Sequence, residues 1–96
     1  MKPLLYFTDA AINQIQALRK ALHIQDNQYL RVGVRGGSGC MAVTQVIAFD
    51  EKEERDELYD VQGMPVLVRK GESMYILGMT VDYVDDGQSK GFVFSA

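Results

Sequence analysis

The sequence predicts an α+β domain: one N-terminal helix packed on a mixed, mostly antiparallel β-sheet or β-sandwich-like core, with a second short helix over residues 70–77. Three observations predict it. Apolar residues recur at helical spacing once, at Ile12, Ile15, Leu18 and Leu22. From Tyr29 onward the period changes to alternation, in runs short enough to be single strands. Turn-forming residues separate those runs, and no internal repeat, low-complexity tract or linker interrupts them, so residues 1–96 read as a single domain.

Taking the elements in order, Leu4 to Phe7 is a short apolar entry segment. Thr8 follows as a helix N-cap, with Asp9 placed in the positive first turn. The polar face of the helix holds Asn13, Gln14, Gln16, Arg19 and Lys20, and the basic pair suits its negative C-terminal end near His23. Tyr29 to Arg35 is a strand with Leu30, Val32 and Val34 on one face and Arg31, Gly33 and Arg35 on the other. Met41 to Phe49 is apolar and β-branched, which predicts a second and more deeply buried strand. After a charged connection, Leu58 to Val61 and Met64 to Val68 form strands around a Gln62-Gly63 turn. Pro65 has no N–H for a ladder, which predicts a strand that begins at an edge or pairs from Val66 onward. Lys70 to Leu77 predicts a helical turn closed by Gly78. Met79 to Val84, the Asp85-Asp86-Gly87 turn and Lys90 to Phe94 complete the series.

Bulk properties exclude several functions. A hydrophobic content of 47% and a charged content of 24% are those of an ordinary globular domain. The net charge of −3 lacks the basic face of a nucleic-acid binder. No segment is long enough to span a membrane, and the Leu4–Phe7 run is too brief for a signal-peptide core. A single cysteine excludes an intramolecular disulfide and fits a reducing compartment. The expectation is a cytoplasmic protein with neither nucleic-acid nor membrane partners.

The chemistry converges on Arg35-Gly36-Gly37-Ser38-Gly39-Cys40-Met41, a glycine-rich connection that carries the only thiol. Gly37 to Ala42 matches the G-x-G-x-x-A dinucleotide fingerprint. That fingerprint requires a following helix whose N-terminus holds the pyrophosphate, and Val43 to Ile47 is a strand, so the match is rejected. An anion nest of loop amides needs no helix, and Arg31 and Arg35, on one strand face, are candidates to add charge; a plain hairpin connection accounts for the glycines as well. Thiol catalysis by Cys40 needs a base or a positive field, and the lone His23 has no acid marked out to orient it, so no enzyme activity is expected. The acidic stretch Asp50 to Asp60 fits no calcium loop and reads as a solvated connection. Asp85 and Asp86 read as turn formers, and Met64, Met74 and Met79 as core filler.

The order of these elements resembles the HesB-like family, the A-type iron–sulfur cluster carriers. The resemblance rests on the capped helix beginning Thr8-Asp9-Ala10-Ala11, the strand Leu30 to Arg35 and the glycine–cysteine loop. It continues through the acidic connection, Gly63 to Val68, Leu77 to Val84, and Lys90-Gly91-Phe92-Val93-Phe94. It covers nearly the whole chain and implies the family fold. The family binds its cluster through three cysteines, one in the glycine loop and two in a Cys-x-Cys tail pair, because thiolates are the soft ligands such clusters require.

This sequence departs from that pattern twice. Counting from Val34, Cys40 arrives one residue late, and aligning Met41-Ala42 instead puts Ser38 at the family cysteine's place. Ala96 follows closely on Phe94, where the tail would begin, and no Cys-x-Cys is present. The resemblance therefore implies Cys40 as the sole thiolate metal ligand, on a loop of Gly36, Gly37, Ser38 and Gly39; the strand face separately offers Arg35 as a candidate anion contact. One thiolate cannot complete the four ligands of a cluster, and a symmetric dimer supplies two. Iron or an iron–sulfur cluster then requires ligands from other subunits or partners, such as other iron–sulfur assembly proteins, acceptor apoproteins or further copies in a homo-oligomer. The alternative expectation is a HesB-like domain without metal chemistry that acts as a protein-binding or regulatory module.

Overall fold

The computed structural model describes residues 4–36 and 43–96. Along the chain run β1 (Leu5–Phe7), α1 (Asp9–Ala21), β2 (Gln28–Gly36), β3 (Val43–Glu51), β4 (Asp56–Val61) and β5 (Met64–Arg69). A 3₁₀ turn (Ser73–Tyr75), β6 (Met79–Asp85) and β7 (Lys90–Ser95) follow. The strands form a three-stranded sheet in the order β1-β6-β7 and a four-stranded sheet in the order β3-β2-β5-β4. The β1·β6 and β2·β5 pairs are parallel; β2·β3, β4·β5 and β6·β7 are antiparallel. The mixed, mostly antiparallel architecture expected from the sequence is present.

One core unites the two sheets and the helix. It takes Leu5 and Phe7 from β1, Ala11 and Ile15 from α1, Leu30 and Val32 from β2, and Val66 and Val68 from β5. Val61, Ile76 and Val81 complete it. Alternation explains the choice: in β2 and β5 every second side chain points to the same face. The helix covers this core with its Ala11–Ile15 stripe, and its basic end turns to β3, where the Arg19 guanidinium lies 5.3 Å from the Phe49 ring centre.

Two polar contacts set how the pieces meet. The Thr8 hydroxyl accepts from the Ala11 N–H at 3.2 Å as an N-cap, and donates to the Asp82 carboxylate on β6 at 2.7 Å. The helix start is thereby tied to the strand beneath it. The Gln62 side chain accepts from the Phe7 N–H at 2.7 Å and donates to the Phe7 carbonyl at 3.0 Å, so an amide from the β4–β5 turn acts as a strand partner for β1. Gln62 and Gly63 both have positive φ, 54° and 84°, as a two-residue hairpin with primed turn geometry requires.

Three expectations need correction and one, for the strand that carries Pro65, holds. The second short helix is only a 3₁₀ turn: it is confined between Gly71 and Gly78, both at positive φ, and one turn is too short for helical propagation. β3 is an edge strand, and none of its side chains described, from Thr44 to Glu51, is buried, so its β-branched character reflects pairing on one side only. The expectation for the Pro65 strand holds: β5 is internal, but its first two residues have a single neighbour. It pairs with β4 from Met64 and with β2 only from Val66, which leaves Pro65 where the second neighbour is absent. Met74 is 73% exposed rather than core filler.

Because Thr8 both caps the helix and anchors it to β6, Thr8→Ala is expected to lower the unfolding free energy by about 1–2 kcal/mol. Thr8→Ser should retain most of it. Urea titration followed by circular dichroism checks both.

Candidate functional site

The β2·β3 pairing runs without a break from Gln28↔Glu51 to Gly36↔Val43. The ends of the two strands are therefore held opposite one another, and residues 37–42 join them. Of the residues predicted to form the site, Gly36 closes β2, and Arg35 is exposed one rung earlier, opposite Thr44. Gly37, Ser38, Gly39 and Cys40 lie outside the described residues.

Arg31 is not an anion contact. Its guanidinium donates to both carboxylate oxygens of Asp56 at 2.6 Å, to Asp50 at 3.1 Å and to the Glu51 carbonyl at 3.3 Å. The Asp56 side chain is fully buried, and it also accepts from the Glu53 N–H at 2.8 Å. This overturns the expectation of a uniformly solvated acidic connection. β5 lies between the strands that carry Arg31 and Asp56, so their pair crosses β5 on the face away from the core. Leu67, the register partner of Arg31, is fully buried on that face. Arg31 thus fastens β2 to β3 on one side and across β5 to β4 on the other.

Farther along β2 the pairing with β5 ends at Arg31↔Leu67. There the connection between β5 and β6 takes over. The Glu72 carboxylate accepts from the Val34 N–H at 3.2 Å, and the Gln45 side-chain amide donates to the Tyr75 carbonyl at 3.2 Å. Val34 and Gln45 are direct partners in the β2·β3 register. Gly33 makes the first contact feasible, since a Cβ at that position would stand 2.9 Å from the same Glu72 oxygen. The connection is itself anchored by Ile76, fully buried in the core, and by the Gly78 N–H, which donates to the Leu4 carbonyl at 2.7 Å. Neither Glu72 nor Asp56 was singled out by sequence reasoning. The available signal for Glu72 was Gly33, because a glycine inside a strand often marks close approach by another group.

Elsewhere, Asp82 is engaged by Thr8. Asp85 and Asp86 accept N–H groups within their own turn, from Gly87 and from Gln88 and Ser89 respectively. An open cavity of about 240 Å³ is lined by Leu58, Tyr59, Asp60, Gly63 and Pro65. It sits by the β4–β5 turn, at the opposite end of the sheet from Gly36, because β5 runs parallel to β2. The Asp60 carboxylate there is taken by the Gly63 N–H at 2.9 Å. Among the described residues, no group of three or more His, Cys, Asp or Glu side chains is arranged to hold a metal ion.

The model of the iron–sulphur cluster biosynthesis family matches residues 4–96. The chain belongs to that family. Two curated relatives and one solved structure agree with it. The uncharacterized protein SufA of Bacillus subtilis is 40% identical over 87 residues, 88% of this chain and 70% of that protein. The iron–sulfur cluster insertion protein ErpA of Marinobacter nauticus is 34% identical over 90 residues, 93% of this chain and 80% of its own. The crystal structure of IscA with a 2Fe–2S cluster superposes with a TM-score of 0.68 at 25% identity, covering 95% of this chain and 80% of that one. The family fold predicted by resemblance, one helix on mixed sheets, is the fold observed.

Within this family member, two outcomes test the Arg31 network. Arg31→Met leaves a buried carboxylate unpaired and is expected to cost about 3–5 kcal/mol, while Arg31→Met with Asp56→Leu should recover most of it. Hydrogen bonds from Arg31 hold the Asp56 carboxyl down at about 2 against the opposing effect of burial, from an ordinary value of 3.8. Its folded value lies below its unfolded one, so it contributes stability above about pH 4 that is lost as pH falls toward about 2. Asp86 is also held low, by the N–H groups of Ser89 and Gln88, with the same sign. The test is therefore a difference: between pH 4 and 2, the urea midpoint should fall less steeply in Asp56→Asn than in the wild type.

Proposed function

We propose that the protein acts in iron–sulfur cluster assembly as a carrier that receives iron or a cluster as cargo and passes it on, with Cys40 as its thiolate ligand. The observation that carries this is the family match over residues 4–96, joined to the position of the only cysteine in the connection between Gly36 and Val43. The IscA structure, determined with a 2Fe–2S cluster, supports the choice of cargo. The name of ErpA, a cluster insertion protein, supports transfer to an acceptor.

Ligand arithmetic then shapes the role. One thiolate per chain leaves most of the coordination to other groups, because a 2Fe–2S cluster takes four ligands. In this proposal the remainder comes from Cys40 of other copies, from a small thiol such as glutathione, or from cysteines of an acceptor apoprotein. In this proposal Arg35, exposed at the hairpin base, adds positive charge for an anionic thiolate–cluster assembly. No bond-making step requires a catalytic residue. A compartment where thiols stay reduced, such as the cytoplasm, suits this chemistry. No helix among the described residues is long and apolar enough to cross a membrane.

Anaerobic reconstitution with ferrous iron and sulfide, in the presence of glutathione and of a candidate acceptor, tests the role. Wild type is expected to develop thiolate-to-iron charge-transfer absorbance with matching iron and sulfide content, and Cys40→Ser to lose it. Ser38→Ala should leave it intact, which also decides between the two alignments of the loop. A wild type that binds no iron under any of these conditions would favour a binding module without metal chemistry.

A further inference from the structure

The four-stranded sheet ends on β3, and its neighbour shows which backbone groups of β3 face the open edge. The Val34 N–H is taken by Glu72, on the side of β2 away from β3, so Val34↔Gln45 is a pair without mutual hydrogen bonds. Alternation then turns the N–H and C=O of Gln45, Ile47 and Phe49 away from β2. Glu51, next in that series, donates its N–H to the Asp50 carboxylate rather than to β2. Among the described residues, no turn, loop or side chain hydrogen-bonds to the outward backbone groups of Gln45, Ile47 and Phe49.

Sheet edges are ordinarily blunted, because a row of open N–H and C=O groups invites a further strand. The other edges here follow that rule. Gln62 occupies the edge of β1, β4 carries Glu57 and Asp60, and β7 opens with Lys90 and Gly91. From Val43 to Phe49, β3 holds no charge, proline or glycine, and its unbroken register leaves no bulge.

We propose that β3 is the docking edge for a second copy of this chain, joined antiparallel about a two-fold axis at Ile47. In that register Ile47 meets the other copy's Ile47, Gln45 meets Phe49, Thr44 meets Asp50 and Val43 meets Glu51. The outward groups of Gln45, Ile47 and Phe49 then satisfy one another reciprocally, and both edges close at once, as an isologous interface requires. Ile47 and Phe49, partly buried against the core, gain cover from the other copy. Charge selects this arrangement. Each Asp50 lies opposite a Thr44 hydroxyl, whereas parallel in-register stacking would set Asp50 on Asp50 and Glu51 on Glu51. A strand of another protein would find no charged position between Val43 and Phe49 to select it. The interface needs no metal and stands apart from the carrier role proposed above.

Sedimentation equilibrium of the metal-free protein, in a Cys40→Ser background that excludes a disulfide, tests the docking edge. A concentration-dependent dimer is expected. Thr44→Lys, which sets a cation opposite the other copy's Asp50, should tighten it about three- to tenfold, and Thr44→Glu should weaken it by a similar factor. Within one chain the order reverses, because Arg35 is the register partner of Thr44 on β2: Thr44→Glu should raise the urea midpoint and Thr44→Lys lower it. Docking and stability are thereby separated. Hydrogen exchange at the Gln45, Ile47 and Phe49 amides should also slow as concentration rises. A protein that stays monomeric at millimolar concentration overturns the proposal. So does a dimer weakened by both substitutions, which would mean that Thr44 faces Thr44, or one indifferent to both.

Discussion

Burial of the Asp56 carboxylate is tolerable only because Arg31 meets it with two hydrogen bonds, and the four-stranded sheet is arranged around that pairing. An isolated carboxylate with no exposed side-chain surface carries a desolvation penalty that would otherwise favour its protonation or expulsion. The bidentate fork, the Glu53 N–H and the ordering of Asp50 on the same guanidinium compensate it. Since Arg31 sits at the last position where β2 pairs with β5, the network marks a boundary along β2. At Leu30 and Arg31 the strand has neighbours on both sides; after Arg31 only β3 is paired with it.

That boundary explains the shape of the functional end. A strand flanked on both sides would deliver its C-terminal residues into the sheet. β2 instead runs on for five residues past Arg31 as half of a two-stranded hairpin, a structure that is marginal alone. The β5–β6 connection supplies the missing support at the Val34↔Gln45 rung, using one carboxylate and one backbone carbonyl. Past Val32, which is still part of the core, the described end of the hairpin therefore has a fixed base.

Much of this was legible in the sequence, and the reasons differ by element. Thr8 and the spacing of Ile12, Ile15 and Leu18 identify α1 because capping and helical period are local signals, whereas Leu22, expected on the same stripe, lies past the helix end and is exposed. The alternation of Leu30, Val32 and Val34 gives the core face of β2 for the same reason. The burial of β3 was misjudged because β-branched residues suit edge and central strands alike. The Arg31–Asp56 pair was invisible because the two residues are separated by 25 positions, and alternation tells which face a side chain takes but not what it meets. Glu72 was hidden in the same way, with only Gly33 hinting at an approach. At the candidate site, the glycines and the thiol stood out as chemistry, and the family resemblance gave them a cargo. What holds their base depends on tertiary contacts.

The central proposal is that Cys40 binds a cluster together with ligands from other molecules. Native mass spectrometry of the anaerobically reconstituted protein tests that most directly. The account predicts iron and sulfide mass only on species with more than one chain, or on chains joined to glutathione or an acceptor. A 2Fe–2S mass increment on the bare monomer would contradict it.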